Sequence, residues 1–238
     1  MADRPILFSA PMVRAILREI ENPGTGKTQT RRIIKPRGNR PSLFNGNWSD
    51  SYVLAPGNES WRQEDISIKP GDRLYVREHW RTTHVLDGIA PSDLRKSENK
   101  TVNYTPICFI SDEATQDFDP LVDPPFGKHR QAMHMPRWAS RLTLIVEGVK
   151  VERLQDISEA DAIAEGIERH KSGWMPYSTA FYDGDGLTPA NYHVDPRISY
   201  MQLWNSINGS GSWDANQWVV AYTFRPILGN IDQIGGAA

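Results

Sequence analysis

The sequence predicts an α+β fold, a small open β-barrel with peripheral helices and long loop insertions. Segments with the apolar runs or the alternation typical of β-strands outnumber segments with helical periodicity. The helical segments do not alternate regularly with the strands, which argues against a doubly wound parallel sheet. A chain of 238 residues can bury a sizeable core, so we expect a single domain over residues 1–228. Residues 229–238 are expected to form a disordered tail.

The first third of the chain predicts a strand, a helix and two further strands. Residues 5–9 are a short apolar run typical of a buried strand. Residues 10–21 have the periodicity of an amphipathic helix, with Ser9 as its candidate cap. A short strand is expected near residues 33–34. The clearest signal is a Pro-Gly-Asp turn that leads into an alternating strand within residues 69–80.

Three long irregular stretches are expected to be insertions in the domain. They lie at about residues 37–68, 81–135 and 168–195 and are rich in Asn, Asp, Ser, Gly or Pro. The first reads as a surface excursion. The second contains one strand candidate, residues 105–110.

The remaining segments predict strands and two helices. Residues 141–154 alternate on both sides of Gly148, which fits two joined strands or one bulged strand. Residues 158–166 have a capping-box pattern and a closing glycine, typical of a helix of about two turns. A second helix is expected over residues 196–208 and a final strand over residues 217–224.

Composition excludes several classes of protein. Lys and Arg number 27 against 29 Asp and Glu, so no global field draws the chain onto nucleic acid or membrane. The single Cys108, with scattered His129 and His134, matches no structural zinc pattern, and we expect neither a metal nor a cofactor. No apolar run approaches the roughly 20 residues of a membrane span. No signal-peptide pattern is present at the amino terminus. We therefore expect a soluble, cytoplasmic protein without a membrane partner.

The loop PGTGKT, residues 23–28, superficially resembles a phosphate-binding P-loop. Glu21 occupies the place of the first motif glycine, the preceding segment is helical, and Pro36 cuts short any following helix. These features argue against nucleotide hydrolysis. The segment 24–40 nevertheless has no acidic residue and carries six cations: Lys27, Arg31, Arg32, Lys35, Arg37 and Arg40. Either a solvated basic loop or an anion-binding site fits this pattern.

The same loop carries a resemblance to a known family. The pattern G-x-K-T-x-T-x-R, with Lys27, Thr28, Thr30 and Arg32, is similar to the signature of the ASCH domain, a PUA-like family. Two further segments agree in order: GDRLYVRE at residues 71–78 and LQDISEADAIAEGI at residues 154–167. Together with HMPRWASRLTL, residues 134–144, the whole looks most like the larger ASCH-containing proteins of tailed phages and prophages.

The resemblance implies an open barrel with a cleft lined by the basic loop, which recognises a nucleobase, a nucleoside or RNA. Some small ASCH proteins hydrolyse the acyl amide of N4-acetylcytidine with a lysine, a threonine and a glutamate. Carried over by motif, these catalytic residues are Lys27, Thr30 and Glu165. The long insertions leave the substrate open, and we retain two alternatives: a non-catalytic module that binds RNA or DNA, and a phage morphogenesis-associated protein.

The expected substrate-binding residues are Thr28, Arg31, Arg32, Glu78, Trp80, Arg137 and Trp138. Arg137 and Trp138 pair a cation with an aromatic ring, which suits nucleotide contact and equally suits packing. For Trp80 a core position competes with base stacking. For the Lys27 amine, burial and neighbouring cations would favour a neutral base, whereas an ion pair with Glu165 would favour a structural bridge.

Overall fold

The computed structural model describes residues 1–36, 38, 41–94, 107–112, 126–177 and 192–234. Predictions for Arg37 and Arg40, for the start of the 105–110 strand candidate, for parts of the three insertions and for residues 235–238 lie outside the described residues.

The described chain contains five α-helices and nine strands, apart from short 3₁₀ turns. In the first half they are β1 (Asp3–Leu7), α1 (Ala10–Glu21), β2 (Gln29–Ile33), α2 (Asp50–Leu54), α3 (Glu59–Gln63), β3 (Arg73–Arg77), β4 (Trp80–Arg81) and β5 (Cys108–Phe109). In the second half they are β6 (Leu142–Arg153), α4 (Glu159–Ala164), β7 (Arg169–His170), β8 (Gly173–Trp174), α5 (Pro196–Asn208) and β9 (Trp218–Leu228).

Five of these strands form the central sheet, in the order β1-β3-β6-β9-β2. The β1–β3 pair is parallel, and the other three pairs are antiparallel. The α+β class is therefore confirmed, with a core built mostly on a sheet. Among the described strands the sheet does not close into a barrel, because β1 and β2 remain its two edges. One side-chain contact joins these edges, where Arg32 Nη2 donates to the Leu7 carbonyl at 2.8 Å.

Residues 142–153 form one bulged strand, which decides between the two predicted alternatives. The register between β6 and β9 shifts between Val146 and Gly148, so pairing continues on both sides of the irregularity. The bulge allows one long strand to curve around the core.

Helix α1 follows its predicted bounds because its apolar positions recur at helical spacing. Met12, Val13, Ala15 and Ile16 are buried against the sheet. Ser9 lies at the cap position, but its side chain makes no capping hydrogen bond. The helix ends at Asn22, whose backbone N–H donates to the Arg18 carbonyl.

The first insertion differs from the surface excursion expected of residues 37–68. It contains helices α2 and α3, and three of its residues belong to the main hydrophobic core: Val53 in α2, with Leu43 before the helices and Ile66 after them. These apolar residues are spaced too widely to show a period, so the sequence pattern did not indicate their burial.

The start of the expected tail packs onto the domain. Gly229 donates its N–H to the Arg141 carbonyl, and Ile231 is fully buried. The Asn230 amide donates to three carbonyls of residues 137–140. Residues 229–234 therefore extend the ordered domain beyond residue 228.

Candidate active site

The Gly-Lys-Thr loop lies between helices α1 and α4. The Lys27 N–H donates to the Ala15 carbonyl at 2.9 Å, and the Thr28 N–H donates to the Ala164 carbonyl at 2.9 Å. A Cβ on Gly26 would lie 2.3 Å from the Ala15 oxygen. Glycine is needed at position 26 because the loop backbone touches a helix backbone, and this contact explains the motif without a phosphate ligand.

Helix α4 presents Glu165 to this loop. Ser158 caps the helix by accepting the Asp161 N–H at 3.1 Å, as the capping pattern predicts. Gly166 follows the helix with a φ of +87°, and a Cβ on it would meet the Lys27 Cβ at 2.7 Å. The positive φ and the close approach both favour glycine. They bring the end of α4 directly against Lys27.

Lys27 and Glu165 form a buried ion pair. The Lys27 Nζ donates to Glu165 Oε2 at 2.6 Å and to the Glu165 carbonyl at 2.7 Å. Only 1% of Lys27 is exposed. Burial lowers the pKa of the Lys27 amine, and the charges of Arg32 and Arg31 lower it further, whereas Glu165 opposes this shift. The net direction is downward, towards a neutral amine.

Arg31 is surrounded by carboxylates. Its guanidinium reaches Glu152 Oε1 at 2.6 Å, Glu165 Oε1 at 3.1 Å and Asp161 Oδ2 at 3.2 Å, and it donates to Gln29 Oε1 at 2.6 Å. Burial alone would lower the Arg31 pKa, but these acidic neighbours raise it overall. Arg31 thus holds the second oxygen of Glu165 and also lines the cavity, and its expected substrate-binding role stays a prediction.

Arg32, the next residue on β2, differs from Arg31. It donates to the Leu7 carbonyl, and its guanidinium carbon lies 5.0 Å from the centroid of the Phe8 ring. No carboxylate of the described residues lies within ion-pair distance of it. Burial lowers the Arg32 pKa, while Glu165 and two tyrosines oppose that shift. Of the two arginines, Arg32 is the one that remains able to donate hydrogen bonds to an anionic or carbonyl oxygen of a ligand.

These residues line one cavity of about 220 Å³. The polar part of its wall is Lys27, Thr30, Arg31, Arg32, Lys35, Glu165, Tyr200 and Asn208, and the apolar part is Phe8, Met12, Ile33, Leu203, Trp204 and Ile207. Thr30 lines the cavity and is only 1% exposed. The three expected catalytic residues thus share one cavity, whereas Thr28 is outside its lining.

Tyr200 adds a buried phenol beside the ion pair. Burial raises the Tyr200 pKa well above its ordinary value, and the neighbouring Glu165 charge raises it further. The phenol is therefore neutral at physiological pH and can act as a hydrogen-bond donor.

Two of the other expected binding residues are buried away from this cavity. Glu78 is 1% exposed and accepts hydrogen bonds from Arg141 and Ser111. Burial raises its pKa, and Arg141 opposes that shift. Trp80 is fully buried in a second hydrophobic cluster, with Trp138 partly buried against it. Neither residue lines the cavity: Glu78 pairs with Arg141, and Trp80 packs in the second cluster.

Arg137 also lies elsewhere. Its Nη2 contacts Asp232 at 2.6 Å and reaches Asp3 at 2.5 Å, and its guanidinium lies over the Tyr75 ring at 5.7 Å. It joins residues near both ends of the chain. Neither Arg137 nor Trp138 is among the residues that line the cavity.

The α5 wall of the cavity was not assigned to the site from the sequence. Tyr200, Leu203, Trp204 and Ile207 were predicted to share one helical face, and a shared apolar face normally indicates core. Tyr200, Leu203 and Trp204 do belong to the core cluster, yet they also border the cavity. The sequence did offer one signal that this face borders a site. Tyr200 and Trp204 carry a phenol and an indole N–H, and such groups usually need a hydrogen-bond partner when they are buried.

No group of three or more His, Cys, Asp or Glu side chains suited to a metal ion occurs in the part of the chain that the structure describes. Among those same residues, no helix has the length and apolar character required to cross a membrane.

Comparisons of the chain with protein-family models, with curated proteins and with solved structures found no match. The functional argument therefore depends on the geometry of the cavity and on the motif resemblance.

Proposed function

We propose that this chain is an ASCH-type, PUA-like protein that recognises a pyrimidine nucleoside and hydrolyses an acyl amide on its exocyclic nitrogen, as in N4-acetylcytidine. One observation carries the proposal. Lys27, Thr30 and Glu165 come from the loop, from β2 and from the end of α4, and they line the same cavity with Lys27 Nζ 2.6 Å from the Glu165 carboxylate.

The cavity supports a small planar ligand. Its volume of about 220 Å³ lies below the roughly 300–1,000 Å³ usual for small-molecule pockets. Such a volume favours one base, with a sugar extending towards solvent, over a longer stretch of nucleic acid inside the protein. The apolar side chains of α5 and α1 suit the faces of a ring, and the β2 and α4 side chains suit its polar edge.

The first chemical step is acyl transfer to Thr30. The Thr30 hydroxyl oxygen attacks the acyl carbonyl carbon while the neutral Lys27 amine takes the hydroxyl proton. A tetrahedral oxyanion forms, and the Arg32 guanidinium, which has no carboxylate of the described residues within ion-pair distance, can stabilise it. Lys27 and the Thr30 hydroxyl do not hydrogen-bond to each other in this structure, so the transfer requires the two groups to come within reach when substrate binds.

The leaving nitrogen then receives the proton. The Lys27 ammonium gives it to the exocyclic nitrogen as the C–N bond breaks, which releases cytidine and leaves an ester on Thr30. Water then attacks the ester carbonyl carbon while Lys27 takes a proton from it, and the bond to the Thr30 oxygen breaks. The carboxylic acid leaves, and Lys27 returns the proton to the Thr30 oxygen. Glu165 orients the amine throughout and stabilises its charged form between the two transfers.

A purely structural ion pair is the competing interpretation of Lys27 and Glu165. Glu165 alone would raise the lysine pKa, but burial together with Arg31 and Arg32 outweighs it. Arg31 also occupies the second Glu165 oxygen at 3.1 Å, so the carboxylate divides its charge between two cations. The lowered pKa supports a role as a base.

A contact between the two edge strands of the central sheet supports the barrel part of the proposal. Arg32 of one edge strand reaches the Leu7 carbonyl of the other, so the sheet curves until its edges approach at the cavity. A curved, incompletely closed sheet of this kind fits the open PUA-like barrel that the motif resemblance implies.

Release of cytidine from N4-acetylcytidine tests the proposal. The wild type is expected to release it, and Lys27→Met and Thr30→Val are expected to lose at least about a hundredfold in kcat/KM, the usual contribution of a proton-transfer group. Thr28→Val is the matched control, because Thr28 lies two residues from Thr30 and does not line the cavity. A folded wild type that releases no cytidine would overturn the proposal. In that case salt-sensitive RNA binding that falls in Arg32→Met would favour the non-catalytic alternative.

A further inference from the structure

The cavity has a buried end and an open end. Lys27, Thr30 and Glu165 are no more than 3% exposed and form the buried end. Ile207 is 55% exposed and Lys35 is exposed as well, so these two lining residues border solvent. A substrate that reacts at the buried groups therefore leaves the cavity on the side of Lys35 and Ile207.

The charges that line the cavity do not balance. Among the described lining residues Glu165 is the only carboxylate, and it pairs with Lys27 and with Arg31. Neither Arg32 nor Lys35 has a carboxylate of the described chain within ion-pair distance. Two cations therefore remain at the cavity without a counter-charge, and they favour a ligand that carries negative charge.

The proposed reaction uses only one of these two cations. Arg32 stabilises the oxyanion, whereas Lys35 has no part in the transfer of the acyl group. An uncharged nucleoside would leave the Lys35 ammonium in water, but a phosphate on the sugar would bring a counter-charge to it. Lysine binds phosphate as a compact point charge on a flexible four-carbon stem, which suits a group held at the solvent-facing end of a cavity.

We propose that the substrate is a nucleotide and that Lys35 binds the phosphate on its sugar. This inference rests on the proposed function, because a base that reacts at Lys27 and Thr30 places its sugar at the open end. A mononucleotide fits better than a strand of RNA, whose successive phosphates are met by several cations. Lys35 is the one cation that is exposed among the described lining residues.

Calorimetric binding of the reaction products separates the phosphate from the chemistry. Cytidine, its 5′-monophosphate and its 3′-monophosphate share one base and one sugar. One of the two monophosphates is expected to bind the wild type about fivefold more tightly than cytidine, the upper value for one exposed ion pair. The preferred isomer identifies the sugar carbon that faces Lys35. In about 1 M salt the preference is expected to fall towards unity, since salt screens exposed charges.

Substitutions at two lysines assign the effect. Lys35→Met keeps an apolar stem and removes the charge, so its preference for the monophosphate is expected to fall to near unity, whereas Lys35→Arg is expected to retain it. Lys69→Met is the matched control, because Lys69 is also exposed and lines a separate cavity. It should keep the wild-type preference. Both lysines are exposed, so neither substitution is expected to unfold the protein. A preference that survives in Lys35→Met would overturn the role of Lys35.

The outcomes separate this inference from the proposed function. Equal binding of cytidine and both monophosphates, together with hydrolysis of N4-acetylcytidine, overturns the phosphate role and leaves the proposed function intact. A preference that depends on Lys35, without hydrolysis of N4-acetylcytidine or its monophosphates, supports the phosphate role and overturns the hydrolytic step. Tighter binding of the trinucleotide ApCpA than of both monophosphates overturns the assignment to a mononucleotide. A protein that binds none of these probes and hydrolyses none of the amides contradicts both proposals.

Discussion

Arg31→Met removes the most heavily paired cation of the site and is expected to destabilise the protein strongly. Methionine keeps the apolar stem of the side chain but leaves Glu152, Asp161 and Glu165 without the guanidinium that lies within 3.2 Å of each. Breaking one buried ion pair by removing a partner costs about 3–5 kcal/mol, since an uncompensated charge stays in the interior.

The expected loss of folding free energy stays at about 3–5 kcal/mol, although Arg31 contacts three carboxylates. Glu165 retains Lys27 at 2.6 Å, and Glu152 retains Lys150 at 2.6 Å. Each of these carboxylates therefore keeps one cation after the substitution. A loss of about 3–5 kcal/mol would be a large part of the roughly 5–15 kcal/mol that stabilises an ordinary domain.

Arg32→Met is the matched control on the same strand. Arg32 donates to the Leu7 carbonyl and lies over the Phe8 ring, contacts worth about 1 kcal/mol each. The substitution should therefore cost about 1–2 kcal/mol of stability, and it should lower kcat/KM because the oxyanion loses its cation.

Urea denaturation followed by circular dichroism measures both free energies of unfolding. The account predicts that Arg31→Met loses at least about 1.5 kcal/mol more than Arg32→Met. Equal losses, or a larger loss for Arg32→Met, would refute the assignment of Arg31 as the buried positioning residue.

Three further predictions concern the elements that form the site. Ser158→Ala removes the capping oxygen of α4 and should cost about 1 kcal/mol in urea denaturation, whereas Ser9→Ala, at a cap without a side-chain bond, should cost little. Gly26→Ala places a Cβ 2.3 Å from helix backbone and should lose about 1–3 kcal/mol or more, against almost none for Gly57→Ala, where the added carbon meets open space. Glu165→Gln removes the charge that raises the Lys27 pKa, so the ascending limb of a pH profile of kcat/KM should move to lower pH; an unchanged limb would show that Lys27 does not set it.

Local signals in the sequence were sufficient for the elements that carry the site. The helical period of residues 10–21, the capping pattern at Ser158 and the turn before β3 correspond to observed elements because each depends on neighbouring residues. The order of the strands in the sheet, and the burial of Leu43 and Val53, depend on distant parts of the chain. Such contacts leave no period in the sequence.

The charged residues of the site also depend partly on neighbouring residues and partly on distant parts of the chain. The sequence pattern gives Arg31 and Arg32 the same expected substrate-binding role, yet Arg31 contacts Glu152, which lies 121 residues further along the chain. Adjacent side chains on a strand point to opposite faces, so one arginine enters a cluster of carboxylates and its neighbour reaches Leu7. The pairing of β2 with the other strands of the sheet therefore determines which of the two arginines is buried among carboxylate side chains.

The lowered pKa of the Lys27 amine is the central claim, and its titration tests that claim most directly. Proteins labelled with ¹⁵N at the lysine Nζ give a resonance that disappears in Lys27→Met, and its shift can be followed from pH 5 to 11, about the range in which perturbed lysines titrate. The account predicts a midpoint below the ordinary value of 10.5. A midpoint at or above that value would show an amine held charged by Glu165, and a charged amine could not take the proton from Thr30.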